Sequence, residues 1–208
     1  MNTALRMNTK NDIRRSKKLS WLLRHGAREV GLPMDAAGWV SVPEVLRALS
    51  ITRAQLEHAV ATNRKRRLQL DGERVRACQG HSADGTPVTL EALEASWVTL
   101  TSDALVWHGT SRGALESIAA AGLVPAQRTH VHLAEALESV IGKRAAVDVM
   151  LGVDPSRVRA AGVGLFTAPN GVILARRVPR EAIVRLEPMT RRARAAAEAL
   201  RAIFGFAP

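Results

Sequence analysis

The chain has 208 residues, 47% of them hydrophobic, which is enough for one or two packed cores. Lys and Arg outnumber Asp and Glu 30 to 19, and the resulting charge of +11 exceeds what solubility alone requires, so a polyanionic partner is implied. The single cysteine, Cys78, excludes a disulfide scaffold or a cysteine-rich zinc site, and no apolar run approaches the roughly 20 residues of a membrane span, so we expect a cytoplasmic monomer with no membrane partner.

The opening MNTALRMNTKNDIRR lacks the apolar core of a secretory signal, and residues 1–14 read as a flexible basic arm. A first helix follows in SKKLSWLLRHG, with Ser16 as its cap, Leu19, Leu22 and Leu23 on one face, and Gly26 in the left-handed position after its end. The helix ends by setting Arg24 beside His25. Cations complement the dipole of a helix C-terminus, so this pair has a purely structural reading as well as a chemical one. After LPMDAAGW, Ser41 with Glu44 and Thr52 with Gln55 have capping-box spacing ahead of two more helices.

RRLQLDGERVRA alternates on both sides of Asp71-Gly72, a dipeptide suited to a two-residue hairpin turn. Three helices and a hairpin give residues 15–84 the pattern of a winged-helix module. Arg64, Lys65, Arg66 and Arg67 lead into the hairpin, and its return strand carries Arg74 and Arg76 on one face. A basic run is often only a solvated surface, but beside a module widely used on nucleic acid it reads as a phosphate contact. Lys17, Arg64, Lys65, Arg66, Arg67 and Arg74 are the residues predicted to contact nucleic-acid phosphates. Aromatic residues make up only 3% of the chain, so stacking on unpaired bases is not the main mode. Cys78 reads as a small buried filler.

Residues 85–102 lose the basic character and read as an inter-lobe connection. A second lobe, 103–190, follows. It has a strand in ALVWHGTS, a helix in SRGALESIAAAGL between Ser111 and Gly122, a strand in THVHLA, a helix in EALESVIGKRA and a strand in AAVDVMLGVD. A hairpin around Asn170-Gly171 and a closing strand in AIVRLEP complete it. The whole is α+β, and residues 191–208 read as a helical tail.

Five of the six histidines punctuate short turns or strands. His130 and His132 are two apart and are expected to face one way, while His108 ends a strand beside Gly109, where a ligand can approach the backbone. Each has an ordinary structural reading, and zinc is a rival, but no cysteine lies near either motif, and no metal is expected. No Walker A or dinucleotide fingerprint is present.

The motifs SKKLSWLLRHG, Gly38-Trp39, RVRACQGHS, WHGTS, HVHLA, GKRAAVDVMLGVD and LFTAPNGVILARRVP occur in one order between Ser16 and Pro188. In this the sequence resembles the RNA 2′-phosphotransferase (tRNA 2′-phosphotransferase) family. The resemblance implies a winged-helix RNA-binding lobe, an ADP-ribosyltransferase-like lobe that binds NAD, and metal-free removal of an internal 2′-phosphate from RNA. It places the family's catalytic group on Arg24, His25, Arg76 and Arg144. His108, Gly109, Thr110 and Ser111 would contact NAD, with His130 and His132 in the same cleft and Gln79, Gly80, His81 and Ser82 closing it. Departures from the family's pattern are Cys78 for Asn, Trp107 for Tyr, Ala134 for Ser, and Ile173 and Ala175 where Trp and Thr are common. Three rival readings are an enzyme that caps nucleic acid ends with ADP-ribose, a non-catalytic RNA binder and a zinc protein.

Overall fold

A computed structural model describes residues 10–139, 142 and 147–207. Its first helix, α1, spans Lys10–Trp21, so residues 10–14, expected in a flexible arm, form the first turns of that helix. The Asp12 carboxylate helps to hold them there, accepting from Arg15 at 2.9 Å and lying 3.7 Å from His58 Nε2. Ser16 is therefore interior to the helix and not its cap; its Oγ accepts from Asn63 Nδ2 at 3.2 Å. The chain runs on through a five-residue π-helical turn, Leu22–Gly26, into Ala27, which keeps right-handed helical angles. Gly26 takes no left-handed conformation. What requires a glycine is the Trp21 ring, which occupies the place where a Cβ would stand.

Strand β1 (Val40–Ser41) leads into α2 (Val42–Leu49) and α3 (Arg53–Ala61). Thr52 and Gln55 close the expected capping box. Ser41 occupies its N-cap position without a side-chain bond, and the Glu44 side chain accepts from Arg47 at 2.6 Å, so the expected capping box does not form. The hairpin consists of β2 (Leu68–Asp71) and β3 (Arg74–Ala77). Asp71 pairs with Arg74, so Gly72–Glu73 is the two-residue loop, one position beyond the expected Asp71-Gly72. The antiparallel sheet has the order β1-β3-β2. Leu19, Leu22, Leu23, Val45, Leu56 and Val75 share one core with it, each contributing roughly 1.5–3 kcal/mol on burial.

The chain divides into two compact units, Met1–Ser96 and Trp97–Pro208. The expected connection 85–102 is in fact structured: α4 (Leu90–Ala95), capped by Thr89, belongs to the first unit, and β4 (Val98–Thr99) to the second.

After β4 the second unit continues with β5 (Val106–Thr110), a 3-10 turn at Arg112–Ala114 and α5 (Leu115–Ala121), which Gly122 ends with φ 76°. Strands β6 (Val131–Leu133) and β7 (Val149–Val153), helix α6 (Pro155–Ala160) and the hairpin strands β8 (Leu165–Thr167) and β9 (Ile173–Ala175) follow. The last elements are β10 (Ile183–Pro188), α7 (Arg191–Ala195) and α8 (Ala197–Ala202). All strand pairs are antiparallel and form two sheets, β10-β7-β5 and β4-β8-β9-β6. A bridge between Trp107 and Ala134 links β5 with the end of β6. All five residues of β7 are buried, because the strand has a neighbour on each edge and Val149, Leu151 and Val153 enter the core of this unit. The helix expected in EALESVIGKRA does not form over 135–139, which is irregular, and most of its remainder lies outside the described residues. No helix among the described residues is long and apolar enough to cross a membrane.

Candidate active site

In the first unit the π-helical turn presents Arg24 half-buried and His25 exposed. A π turn widens the helix by one residue, and such turns are common at functional sites. Residues 79–85 wrap this turn. Arg24 Nη2 donates to Gln79 Oε1 at 3.2 Å, the Ser82 amide donates to Arg24 O at 2.9 Å, and the Ser82 hydroxyl donates to the same oxygen at 3.3 Å. Gly80, at φ 86°, passes so close that a Cβ there would come within 3.2 Å of Arg24 Cζ. Gly85 is as constrained, since a Cβ would collide with the His25 carbonyl oxygen. His81 is fully buried, and Gly38, at φ 85°, leaves room for its ring.

Arg76 lies in a cradle built by four residues, Gln69, Ser96, Ala37 and Trp39. Its Nε donates to Gln69 Oε1 across the hairpin at 2.9 Å, and its Nη1 donates to Ser96 Oγ at 2.7 Å and to Ala37 O at 3.3 Å. Its guanidinium carbon stands 4.5 Å from the centre of the Trp39 ring, which Arg74 also covers at 4.7 Å. Asp35 sets that ring by accepting from the Ala37 and Trp39 amides at 2.9 and 2.8 Å. Arg76 is only 3% exposed, and burial lowers its guanidinium from the ordinary value. Every hydrogen-bond acceptor it meets among the described residues is neutral. Asp35 offsets part of the guanidinium charge through space without bonding to it, and an anion brought from outside would offset more of the cost of burial.

The run from Arg64 to Arg67 is the turn between α3 and β2, with Arg66 at φ 45°. Asn63 organises it: its carbonyl accepts from the Arg66 amide at 2.8 Å and its side-chain oxygen from the Arg67 amide at 3.2 Å. The Cys78 thiol donates to Arg66 O at 3.3 Å, so the residue in place of the expected Asn supports this turn. Arg64, Arg66 and Lys17 are exposed, while Arg74 is held by Asp71 at 2.9 Å.

In the second unit, His108 Nδ1 donates to His132 O at 3.0 Å, and Arg128 Nη1 donates to His132 Nδ1 at 2.9 Å. These two bonds fix both rings. His130 does not share their setting as the spacing suggested. It precedes β6, where strand alternation does not apply, and packs edge-on against Trp97 at 4.9 Å. Gly109 is sterically required, since a Cβ would approach Val147 to 2.9 Å, and Thr110 is buried. Ser111 is exposed at the head of the 3-10 turn, and Asp148 anchors that turn by accepting from the Arg112 amide at 3.2 Å. Arg144 lies outside the described residues.

Two departures from the family's pattern are neighbours. Trp107 and Ala134 exchange backbone hydrogen bonds of 2.8 and 2.7 Å and pack together with Met150, so a large ring faces a small side chain. Ile173 and Ala175 are buried in the core, which makes them packing residues. Gln69, Ser96, Asn63 and Arg128 lie in no motif, and Asp148, though inside GKRAAVDVMLGVD, was not singled out by it. Gln69 could be placed on the hairpin, but the expected turn set it opposite Arg74, and only the observed register brings it to Arg76. No cluster of three metal-ligating side chains occurs among the described residues.

A family model for the RNA 2′-phosphotransferases, the Tpt1 / KptA family, matches residues 10–177. Among curated proteins, one from Burkholderia lata is 38% identical over 201 residues, covering 89% of this chain and 100% of its own length. One from Pseudomonas syringae pv. tomato is 39% identical over 84% of this chain and 95% of its own. One from Streptomyces coelicolor is 36% identical over 83% and 94%. Each bears the name "Probable RNA 2′-phosphotransferase".

Proposed function

The chain belongs to the RNA 2′-phosphotransferase family of enzymes, and on that premise we propose that it removes an internal 2′-phosphate from RNA with NAD as co-substrate. The first unit is then a winged-helix RNA-binding lobe, a reading that its helices, hairpin and sheet order β1-β3-β2 support. The second is an ADP-ribosyltransferase-like lobe. The products are 2′-hydroxyl RNA, nicotinamide and ADP-ribose 1″,2″-cyclic phosphate.

NAD supplies an anomeric carbon with a good leaving group and, beside it, a ribose 2″-hydroxyl. The residues proposed to hold it fit an anionic dinucleotide: His108 and His132 have fixed rings, Thr110 and Ser111 offer hydroxyls, and Asp148 spends its carboxylate on the Arg112 amide and the Thr190 hydroxyl. His130 and the segment Gln79, Gly80, His81 and Ser82 belong to the same assignment.

The RNA 2′-phosphate is already an anion, so its attack on the anomeric carbon needs no base. Arg24, Arg76 and Arg144 hold it in line and offset its repulsion from the pyrophosphate. In the second step the 2″-hydroxyl attacks that phosphorus and the RNA 2′-oxygen leaves. The arginines stabilise charge on the phosphoryl oxygens, and His25 carries the proton from the attacking to the leaving oxygen.

The observation that carries this reading is the buried guanidinium of Arg76, whose hydrogen-bond acceptors among the described residues are all neutral and whose Nη2 edge meets none of them. Lys17, Arg64, Lys65, Arg66, Arg67 and Arg74 would contact the RNA backbone. The test is incubation with NAD, a chelator and an RNA bearing one internal 2′-phosphate. Conversion to 2′-hydroxyl RNA and cyclic phosphate is expected. An RNA left unchanged, or one that stops as an ADP-ribosyl adduct, overturns the reading.

A further inference from the structure

Ser96 stands in a stretch whose sequence offers no recognisable chemistry. It is the C-cap of α4, and its hydroxyl donates to Leu93 O at 2.7 Å. That bond fixes the proton and leaves the oxygen lone pairs to Arg76 Nη1, also at 2.7 Å. A guanidinium has five N–H donors. Three are taken on Arg76: Nε by Gln69, and the pair on Nη1 by Ser96 and Ala37. The Nη2 pair meets no acceptor among the described residues.

We propose that Ser96 is a positioning residue which, by fixing Nη1, aims the Nη2 edge of Arg76 at the oxygens of the phosphate being transferred. The inference rests on the assignment of Arg76 to the reaction made above. Without the serine hydroxyl, Nη1 keeps only Ala37 O at 3.3 Å, longer than a typical N–H···O bond. Trp39 and Gln69 still bury the side chain, so the fold has no reason to fail, yet the planar head can pivot about Nε. Phosphoryl transfer is sensitive to such a pivot because its stabilising donors must be in place before charge develops.

The test uses the full chain in single-turnover and steady-state assays with NAD and a 2′-phosphorylated RNA. Ser96→Ala should lower kcat roughly tenfold, in keeping with loss of a hydrogen bond to a charged group, while KM for NAD stays within about twofold. Ser96→Thr, which keeps the hydroxyl, should restore most of the rate. In an Arg76→Ala background, Ser96→Ala should have no further effect. Unchanged kcat in Ser96→Ala, no rescue by threonine, or the same loss with and without Arg76 overturns the proposal. Should Ser96→Ala fail to fold, Ser96→Cys, close in volume and a poorer acceptor, takes its place under the same expectations.

If the unsubstituted chain itself leaves the RNA untouched, the functional reading has failed, and the clamp is decided separately by hydrogen exchange at the Arg76 Nε–H, assigned by its loss in Arg76→Lys. Faster exchange in Ser96→Ala supports the clamp, and equal exchange overturns it.

Discussion

The proton assignment at His25 separates two chemistries at a single residue. If the imidazole serves only the second step, His25→Ala still allows the anionic phosphate to displace nicotinamide, while transesterification slows by roughly two to four orders of magnitude. ADP-ribosylated RNA should then accumulate in a single-turnover assay. A variant that forms product at the unsubstituted rate would reduce the Arg24-His25 pair to a structural turn. Cys78 makes a prediction of another kind. Burial pushes its thiol up from 9.0 to about 11, so the folded chain holds this proton more tightly than the unfolded one. The resulting stabilisation is complete below pH 9 and disappears as pH climbs through 11. Cys78→Ala should therefore lose less stability than the unsubstituted chain across that window, read as Tm against pH. Parallel curves would contradict the burial argument.

Among the elements, the π turn depends most on one small residue. Gly26→Ala places a methyl group where the Trp21 ring lies, and either the ring or the turn must move. We expect a loss of about 1–3 kcal/mol in denaturant unfolding, accompanied by a weaker Arg24-His25 reaction. Thr52→Ala, which opens a complete capping box remote from that chemistry, should cost about 1 kcal/mol and leave activity alone. How much of this was legible follows from the kind of signal each element leaves. Caps and hydrophobic periodicity are local, so the helices and most strands could be read, and Arg24, His25 and Arg76 followed from motifs. Registers and long-range partners are not local. A turn at Asp71-Gly72 would set Gln69 opposite Arg74; the loop at Gly72–Glu73 sets it opposite Arg76, where its amide is needed. Gly26 was read as a left-handed terminator because the sequence cannot show that the helix continues or that an indole lies across it. Ser96 sits twenty residues from the arginine it holds, and nothing short of the fold brings them together.

At the scale of the whole molecule, the charge of +11 asks what it is for. Arg15, Arg47, Arg53 and Arg74 pair with nearby carboxylates and so account for none of that excess, and the exposed pairs among them contribute little to stability. The turn after α3 differs, because Asn63 and Cys78 organise its backbone with uncharged groups while Arg64 and Arg66 project as exposed side chains. On the proposed reading, such a preformed basic turn, in a chain with few aromatic residues, would bind RNA chiefly by displacing its counterions. Affinity should therefore fall steeply between about 50 and 200 mM salt. Replacing Arg64, Lys65, Arg66 and Arg67 together by glutamine should weaken every RNA to a similar degree and flatten the slope of log affinity against log salt, since phosphate contacts carry no sequence information. Turnover of saturating RNA should change far less than affinity, because Arg24, His25 and Arg76 rest on other supports within this unit. A quadruple variant with an unchanged salt slope would place the RNA on another surface, and one that lost turnover but kept affinity would make the turn part of the chemistry instead of the grip.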